Sequence, residues 1–365
     1  MRVAIIHPFL FRYARGIERF TFNLANTLSA RGVEMHLLTW RWQESIQIDA
    51  LNPRVRVHTF PTSRYYAAQA IVPFYVWHLL TQQYDFVWIY FAGYGEAEAL
   101  KLAPRQRFGI VFHYPYAQVP HRYREFKRFG LARRAAQIVS VSRYVAEGVR
   151  ESLGRESVVI HHGVDTARFA PDPSARARVR ESLHLAPDAP VLVTAAALEE
   201  RKGVQWVLRA LPAILRELPE TTYLVVGDGP HRAALEQEAC ALGIQANVRF
   251  LGAQADVVPF YQAADIFLLL SYGEALPNAP LEAMAMGLPL IVANKRPFDE
   301  IVIPEYGVCV PEEDCAQVAQ VVISLLNDPA RRQAMGTAGR ARVLVDFTWE
   351  RVGDRYLNFC RRNYD

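Results

Sequence analysis

Short, nearly continuous apolar runs alternate with longer amphipathic stretches along the whole chain. Val3–Ile6, Phe86–Tyr90, Phe108–Phe112, Thr222–Val226, Asp265–Leu270 and Leu290–Ala293 show no polar alternation, as parallel strands buried on both faces do not. Between the first two strands, Glu18–Arg31 repeats Phe20, Leu24, Ala25 and Leu28 at helical spacing, Gly32 stops it, and Glu34–Thr39 resumes as a strand. Further strands are expected at Val55–Phe60, Gln137–Val141, Val158–Ile160, Val191–Ala196 and Val248–Phe250. Ser142 is placed to N-cap a helix over Arg143–Leu153 that ends at Gly154. Other helices are expected at Ser174–Leu185, Val204–Leu218, Asp314–Leu326 and Pro329–Val345, whereas Pro73 argues against one long helix through 64–82. Strand and helix alternating in this way predict an α/β protein with parallel sheets.

A chain of 365 residues predicts two domains, each long enough for its own core, with the boundary in the stretch around Pro171-Asp-Pro173. A net charge of +4 suits anionic ligands or an acidic membrane surface and is too small to argue for nucleic acid. Cys240, Cys309, Cys315 and Cys360 form no C-x-x-C pair and have no histidines at zinc spacing, so they read as buried, reduced thiols of a cytosolic protein. The N-terminus enters a strand at once, without a signal-peptide pattern, and no run reaches the roughly 18 apolar residues of a spanning helix.

The richest stretch is Asp265–Ala293, which reads strand, loop, helix, turn, strand. Asn278 or Ala279 falls near the N-cap, Pro280 and Leu281 in the first turn, and Gly287-Leu-Pro289 stops the helix. Glu274 lies before the helix and Glu282 is expected in its first turn. The amides of that turn face the same space, which suits a hydroxyl-rich ligand that carries phosphate. Arg201 and Lys202 precede the helix that begins at Val204; cations there oppose the helix dipole and point to a bound anion, or else form a solvated pair neutralised by Glu199 and Glu200. Arg15-Gly16 sits at the turn into the first helix, where glycine lets backbone approach a phosphate. His113 follows a strand, at the carboxyl end where parallel sheets place ligands, although a lone histidine is more often structural. Gly227-Asp-Gly229-Pro230 is a tight turn and not a dinucleotide fingerprint, because Arg232 takes the third glycine's place. His161-His162 has no carboxylate or cysteine at ligand spacing, so no metal is expected there. Two stretches, the aromatic 64–82 and the basic, aromatic-interleaved 121–134, read either as core with a solvated face or as a patch lying on a membrane.

The seven-residue interval between Glu274 and Glu282, set in Pro277-Asn278, Glu282-Ala-Met-Ala285 and Gly287-Leu-Pro289, resembles the signature of the retaining GT-B glycosyltransferases of family 4 (glycosyl transferases group 1). His113-Tyr-Pro115, His162-Gly-Val-Asp165, Lys202-Gly203, Gly227-x-Gly229-Pro230 and the Phe347-Thr-Trp349 approach to the last helix are similar to further segments of that family. The resemblance implies two facing Rossmann-like domains with a deep interdomain cleft, residues 1–165 on the acceptor side and 166–347 on the nucleotide-sugar side. A C-terminal helix, 348–365, crosses back to the first domain. It implies a UDP- or GDP-linked sugar donor, a glycan or lipid-linked acceptor, retention at the anomeric carbon, and no metal or other cofactor, consistent with the lack of any Asp-x-Asp. Envelope polysaccharide or lipopolysaccharide synthesis at the inner face of the cytoplasmic membrane is the setting it suggests.

Carried over by residue, Glu274 accepts from the donor sugar, Glu282 from the ribose, Lys202 contacts the diphosphate and His113 positions the sugar. Gly16, Arg15, Arg201, Gly229, Gly252, Asn278, Ala279, Pro280 and Leu281 complete the donor contacts. Four departures stand out: Arg15 replaces a glycine, His162 an asparagine, Ala196 and Ala197 fill the region of a second cation, and Asn294–Glu300 replaces a glycine-rich turn. Two competing functions share this architecture. A nucleotide-sugar epimerase needs its own acid/base carboxylates in the first domain, and a non-catalytic nucleotide-sugar-binding partner subunit does not need both glutamates.

Overall fold

The structure, a computed structural model, describes residues 1–10, 16–41, 51–61, 70–115 and 117–361. The chain forms two compact units, Met1–Gly163 with Trp349–Asp365, and Val164–Thr348.

In the first unit the strands are β1 (Arg2–Ile6), β2 (Glu34–Arg41), β3 (Arg56–Pro61), β4 (Phe86–Ile89), β5 (Phe108–Phe112), β6 (Gln137–Ser140) and β7 (Val158–Val159). They pair in parallel in the order β3-β2-β1-β4-β5-β6-β7. The helices between them are α1 (Gly16–Ala30), α2 (Val72–Thr81), α3 (Glu96–Leu102), α4 (Pro120–Arg128), α5 (Leu131–Arg134) and α6 (Arg143–Leu153). Val3–Ile6 and Phe86–Ile89 are wholly buried, which is why these runs are apolar on both faces. Chain order reverses between β1 and β4, and such a switch point opens a crevice at the strands' carboxyl ends.

The second unit contains α7 (Pro173–Ser182), β8 (Val191–Ala195), α8 (Val204–Glu217), β9 (Thr222–Val226), α9 (Arg232–Ala241), β10 (Val248–Gly252) and α10 (Val258–Ala263). It continues with β11 (Ile266–Leu269), α11 (Asn278–Ala285), β12 (Leu290–Ala293), β13 (Gly307–Val310), α12 (Cys315–Leu326) and α13 (Pro329–Asp346). Its sheet runs β10-β9-β8-β11-β12-β13, all parallel, with the switch point between β8 and β11. Leu208, Leu211, Val225, Leu268 and Val322 join α8 and α12 to one face of this sheet in a single apolar core. The last helix, α14 (Trp349–Arg361), belongs to the first unit. There Arg31, just past α1, reaches Asp354 at 2.8 Å and the Glu350 carbonyl at 2.7 Å, and Tyr356 packs edge-on against Trp88, 5.0 Å between ring centroids.

The expectation at Pro73 holds: no single helix runs through 64–82, since α2 begins only at Val72, with Pro73 in its first turn, where its missing N–H costs no bond. Other local expectations change. Of the cysteines only Cys360 is buried; Cys240 is exposed, Cys309 and Cys315 are half-buried, and all four are free. Tyr123, Phe126 and Leu131 turn inward, so 121–134 presents charge over a buried aromatic face. Residues 64–69 of the aromatic stretch, and Arg15, lie outside the described residues.

Candidate active site

The second unit gathers its polar groups where β8 and β11 end. Beyond β8 the chain makes a 3-10 turn, Glu200–Lys202, and enters α8 through Gly203. Gly203 has φ +71°, and a Cβ there would stand 2.0 Å from the Leu270 carbonyl oxygen. Only glycine lets this turn lie so close to the end of β11. The Arg201 carbonyl ties the loops together: it accepts from the Tyr272 amide at 2.9 Å, and the Ser271 hydroxyl oxygen lies 3.0 Å from it.

This brings Lys202 and Glu274 into contact across 72 residues of chain. The Lys202 Nζ donates to Glu274 Oε1 at 2.5 Å, and both side chains are largely buried. Ser271 Oγ donates to the same oxygen at 2.6 Å, and Arg201 Nη1 lies 3.5 Å from it. Burial pushes the Glu274 carboxyl up, but Lys202, the Ser271 hydroxyl and Arg201 outweigh it and hold the group below its ordinary value of 4.5. The group is therefore ionised at neutral pH. Arg201 pairs with Glu199 at 2.8 Å, but Lys202 is paired with neither Glu199 nor Glu200; its partner is Glu274. The solvated Arg-Lys pair considered above therefore does not form.

Glu282 lies on α11 but not in its first turn: the helix starts at Asn278, which places Glu282 fifth. Its position is therefore not explained by the helix dipole, which acts within the first turn. The Tyr261 hydroxyl donates to Glu282 Oε2 at 3.3 Å, and burial, with the carboxylate, raises the Tyr261 pKa well above 10.0. Pro277 and Pro280 carry no N–H, so of positions 277–280 only Asn278 and Ala279 bring amides to the helix start; the amide supply expected from Ala279 to Leu281 is smaller than the sequence suggested. The helix closes at Gly287, φ +75°, whose amide bonds Met284 while that of Leu288 bonds Ala283, a Schellman closure.

Gly229 and Gly252 border the same edge. A Cβ on Gly229 would lie 2.5 Å from the Leu198 carbonyl oxygen, and the Gly227 amide donates to the Gly252 carbonyl at 2.8 Å. Lys202, Arg201, Glu274, Gly229 and Gly252 thus share the carboxyl edge of one sheet. Ser271 and Tyr261, which hold the two glutamates, were not anticipated; the only signal was Ser271, three residues before Glu274.

In the first unit Gly16 is the first residue of α1, and His113 follows β5, buried. Its Nδ1 lies 3.3 Å from His162 Nε2, and its Nε2 is buried without a partner. Burial, then the neighbouring His162 and His7, lower its pKa well below 6.5, so the ring is neutral. Phe20 packs edge-on against it at 4.7 Å. Among the described residues no group of three His, Cys, Asp or Glu side chains is placed to hold a metal ion.

Two parallel-sheet Rossmann-like units, the second with its charged groups at a switch point, place the chain in the class of two-domain α/β enzymes. The structure matches that of HepE from Anabaena, solved with UDP and glucose, with a TM-score of 0.81 over 98% of each chain at 18% identity, a likeness of fold. Residues 14–168 match the Glycosyltransferase Family 4 model, and residues 175–342 the model for Glycosyl transferases group 1. The chain belongs to the group 1 glycosyltransferases of GT-B fold. It is 37% identical over 230 residues, 60% of each chain, to the GDP-mannose-dependent alpha-(1-6)-phosphatidylinositol monomannoside mannosyltransferase of Mycolicibacterium smegmatis. It is 28% identical over 348 residues, 94% of each chain, to the lipopolysaccharide core biosynthesis glycosyltransferase LpsE of Rhizobium meliloti. The first of these matches spans about 60% of the relative's length.

Proposed function

We propose that the protein transfers a sugar from a UDP- or GDP-linked donor to a glycan or lipid-linked acceptor, with retention of configuration and without a metal. The observation that carries this is the buried Lys202–Glu274 pair at the switch point of the second sheet. Among the described residues every bond to Glu274 falls on Oε1, which fixes the carboxylate's orientation and leaves Oε2 for donor-sugar hydroxyls. Lys202 then faces the diphosphate, where negative charge grows as the glycosidic bond breaks, and a preset cation there stabilises the transition state more than the ground state. Glu282, steadied by Tyr261, takes the ribose hydroxyls. Gly16, Arg15, Arg201, Gly229, Gly252 and the amides of Asn278 and Ala279 are assigned to the donor's charged and polar groups, and neutral His113 to a sugar hydroxyl.

The test is release of nucleotide from a panel of UDP- and GDP-sugars, with and without lipid and glycan acceptors. The names of the relatives put GDP-mannose and a phosphatidylinositol-type acceptor first. Acceptor-dependent release that EDTA leaves unchanged, with the α-anomer as product, is the expected result. A requirement for added divalent metal, or acceptor-independent epimerisation of the donor, would refute the reading.

Contact with an anionic membrane belongs to the same proposal. No helix among the described residues is long and apolar enough to cross a bilayer. On α2, however, Trp77 and Leu80 are 56% and 59% exposed and three residues apart, hence on one face. The α4 segment exposes Arg124, Lys127 and Arg128. Replacing both Trp77 and Leu80 by serine is expected to weaken flotation with anionic vesicles about tenfold or more, as loss of two inserted apolar groups should. Unchanged, salt-insensitive flotation in the variant would remove membrane contact from the proposal.

A further inference from the structure

We propose that the carboxyl edge of the first sheet holds a subsite for a phosphate ester, with Arg122 as its cation. That the ester is part of the sugar acceptor rests on the function proposed above; that the subsite takes a phosphate ester does not.

The sequence places Arg122 by burying its neighbours. Pro120 starts α4, and Tyr123 and Phe126 pack on Phe112 of β5 with ring centroids 4.7 and 5.0 Å apart. This register brings Arg122 over the residues that follow β4 and β5. Its guanidinium carbon lies 4.8 Å from the Phe91 ring centroid and 4.7 Å from that of Tyr114, so two rings hold the cation between them. Nη1 is buried and has no hydrogen-bond partner, and among the described residues the guanidinium makes no ion pair. An unpaired, partly desolvated cation is costly, and an arginine edge left open this way matches the oxygens of a phosphate.

The surroundings agree. His7, which follows β1 and so stands at the switch point, is completely buried, with its ring 5.4 Å from Phe91. Among the described residues neither of its ring nitrogens has a hydrogen-bond partner. Burial, with nearby Arg122, lowers its pKa to about 3. It is neutral and can donate from one nitrogen and accept at the other, as a polyol hydroxyl requires. The nearest acid on α4, Glu125, packs toward Gly93 and makes no ion pair with Arg122; burial raises its carboxyl above the ordinary 4.5 against the opposing charges of His121, Arg122 and Arg128, so it offsets the Arg122 charge only in part. The exposed Arg124, Lys127 and Arg128 of the same helix add a positive field that favours a multiply charged anion.

The ester can belong to a lipid headgroup or to a soluble polyol phosphate, and two arms of one experiment separate them. The whole chain is titrated with inositol 1-phosphate against myo-inositol, and with phosphatidylcholine vesicles with and without phosphatidylinositol. Arg122→Met keeps the aliphatic length between the rings and removes the charge. It is expected to lose about 10- to 100-fold in affinity for the ester, as loss of a charge-assisted bond implies, with UDP and GDP binding unchanged. A loss confined to the soluble arm assigns a soluble ester, and one confined to the vesicle arm a lipid headgroup. No loss in either arm overturns the proposal. If Arg122→Met does not fold, the unmodified chain decides: no preference for inositol 1-phosphate over myo-inositol, and none for phosphatidylinositol vesicles, overturns it equally. Ester binding that depends on Arg122 in a chain that binds neither UDP nor GDP would leave the subsite standing and remove the proposed transferase function.

Discussion

Lys202→Ala is expected to abolish sugar transfer and, separately, to destabilise the second unit. The two effects have different causes. Lys202 is the counterion of a buried carboxylate, 2.5 Å from Glu274 Oε1. Its removal strands Glu274 with only the Ser271 hydroxyl and the more distant Arg201. Breaking one side of a buried pair costs about 3–5 kcal/mol, read as a lower urea midpoint. Glu274 will then titrate higher, because burial raises it and its main opposing charge is gone. Glu274→Gln strands the lysine instead and should cost stability of the same order. It should also lower kcat/KM by at least about 10²-fold, the scale of a lost charged contact made in the transition state. The double variant Lys202→Met, Glu274→Gln separates structure from chemistry. It removes both charges, so its midpoint should recover toward that of the unmodified protein, while transfer stays absent. A double variant that regains transfer, or single variants with full activity, would show that the pair has only a structural role.

That pair also marks the limit of what could be read in the sequence. Local signals were read well. Ser142 caps α6 by accepting from the Val145 amide, Gly154 ends it at φ +64°, and the predicted bounds Arg143–Leu153 hold. The apolar runs at β5, β9 and β12 likewise coincide with the strands. By contrast α3, α9 and α10 were not anticipated. Their N-cap positions, Gly95, His231 and Val257, make no side-chain cap bond, so the strongest local start signal is missing, although Pro259 in the first turn of α10 and Glu96 and Glu98 in that of α3 are weaker ones. The motif residues around Glu274 and Glu282 could be named because family 4 chains carry them at fixed spacing. Their partners could not. Lys202 meets Glu274 only because Gly203 lets two loops from adjacent strands touch, and Tyr261 reaches Glu282 from a separate helix. The inward turn of Tyr123 and Phe126 was hidden for a related reason: an aromatic–basic pattern fits a membrane face and a buried helix face equally, and only packing on Phe112 decides.

Glu96→Gln is expected to stabilise the first unit at pH 8 and to leave it nearly unchanged at pH 4. Glu96 is the first residue of α3 and completely buried. Its Oε2 accepts from the Tyr94 amide at 2.9 Å, but Oε1 has no partner among the described residues. Burial raises the carboxyl from 4.5 to about 7, against the pull of the Tyr94 and Glu96 amides and with a push from Glu98 and Glu125. A raised folded value means the native state holds the proton more tightly than the unfolded chain. Stability is therefore full below about pH 4.5, falls as pH rises through about 7, and is flat above. The span corresponds to about 3 kcal/mol at most. Glutamine keeps the shape and an acceptor for the Tyr94 amide but cannot ionise, so the slope between those pH values should flatten. Urea midpoints of both proteins from pH 4 to 8 measure this directly. Parallel curves, or a variant less stable at pH 8, would mean that Glu96 ionises in the fold with a partner of its own.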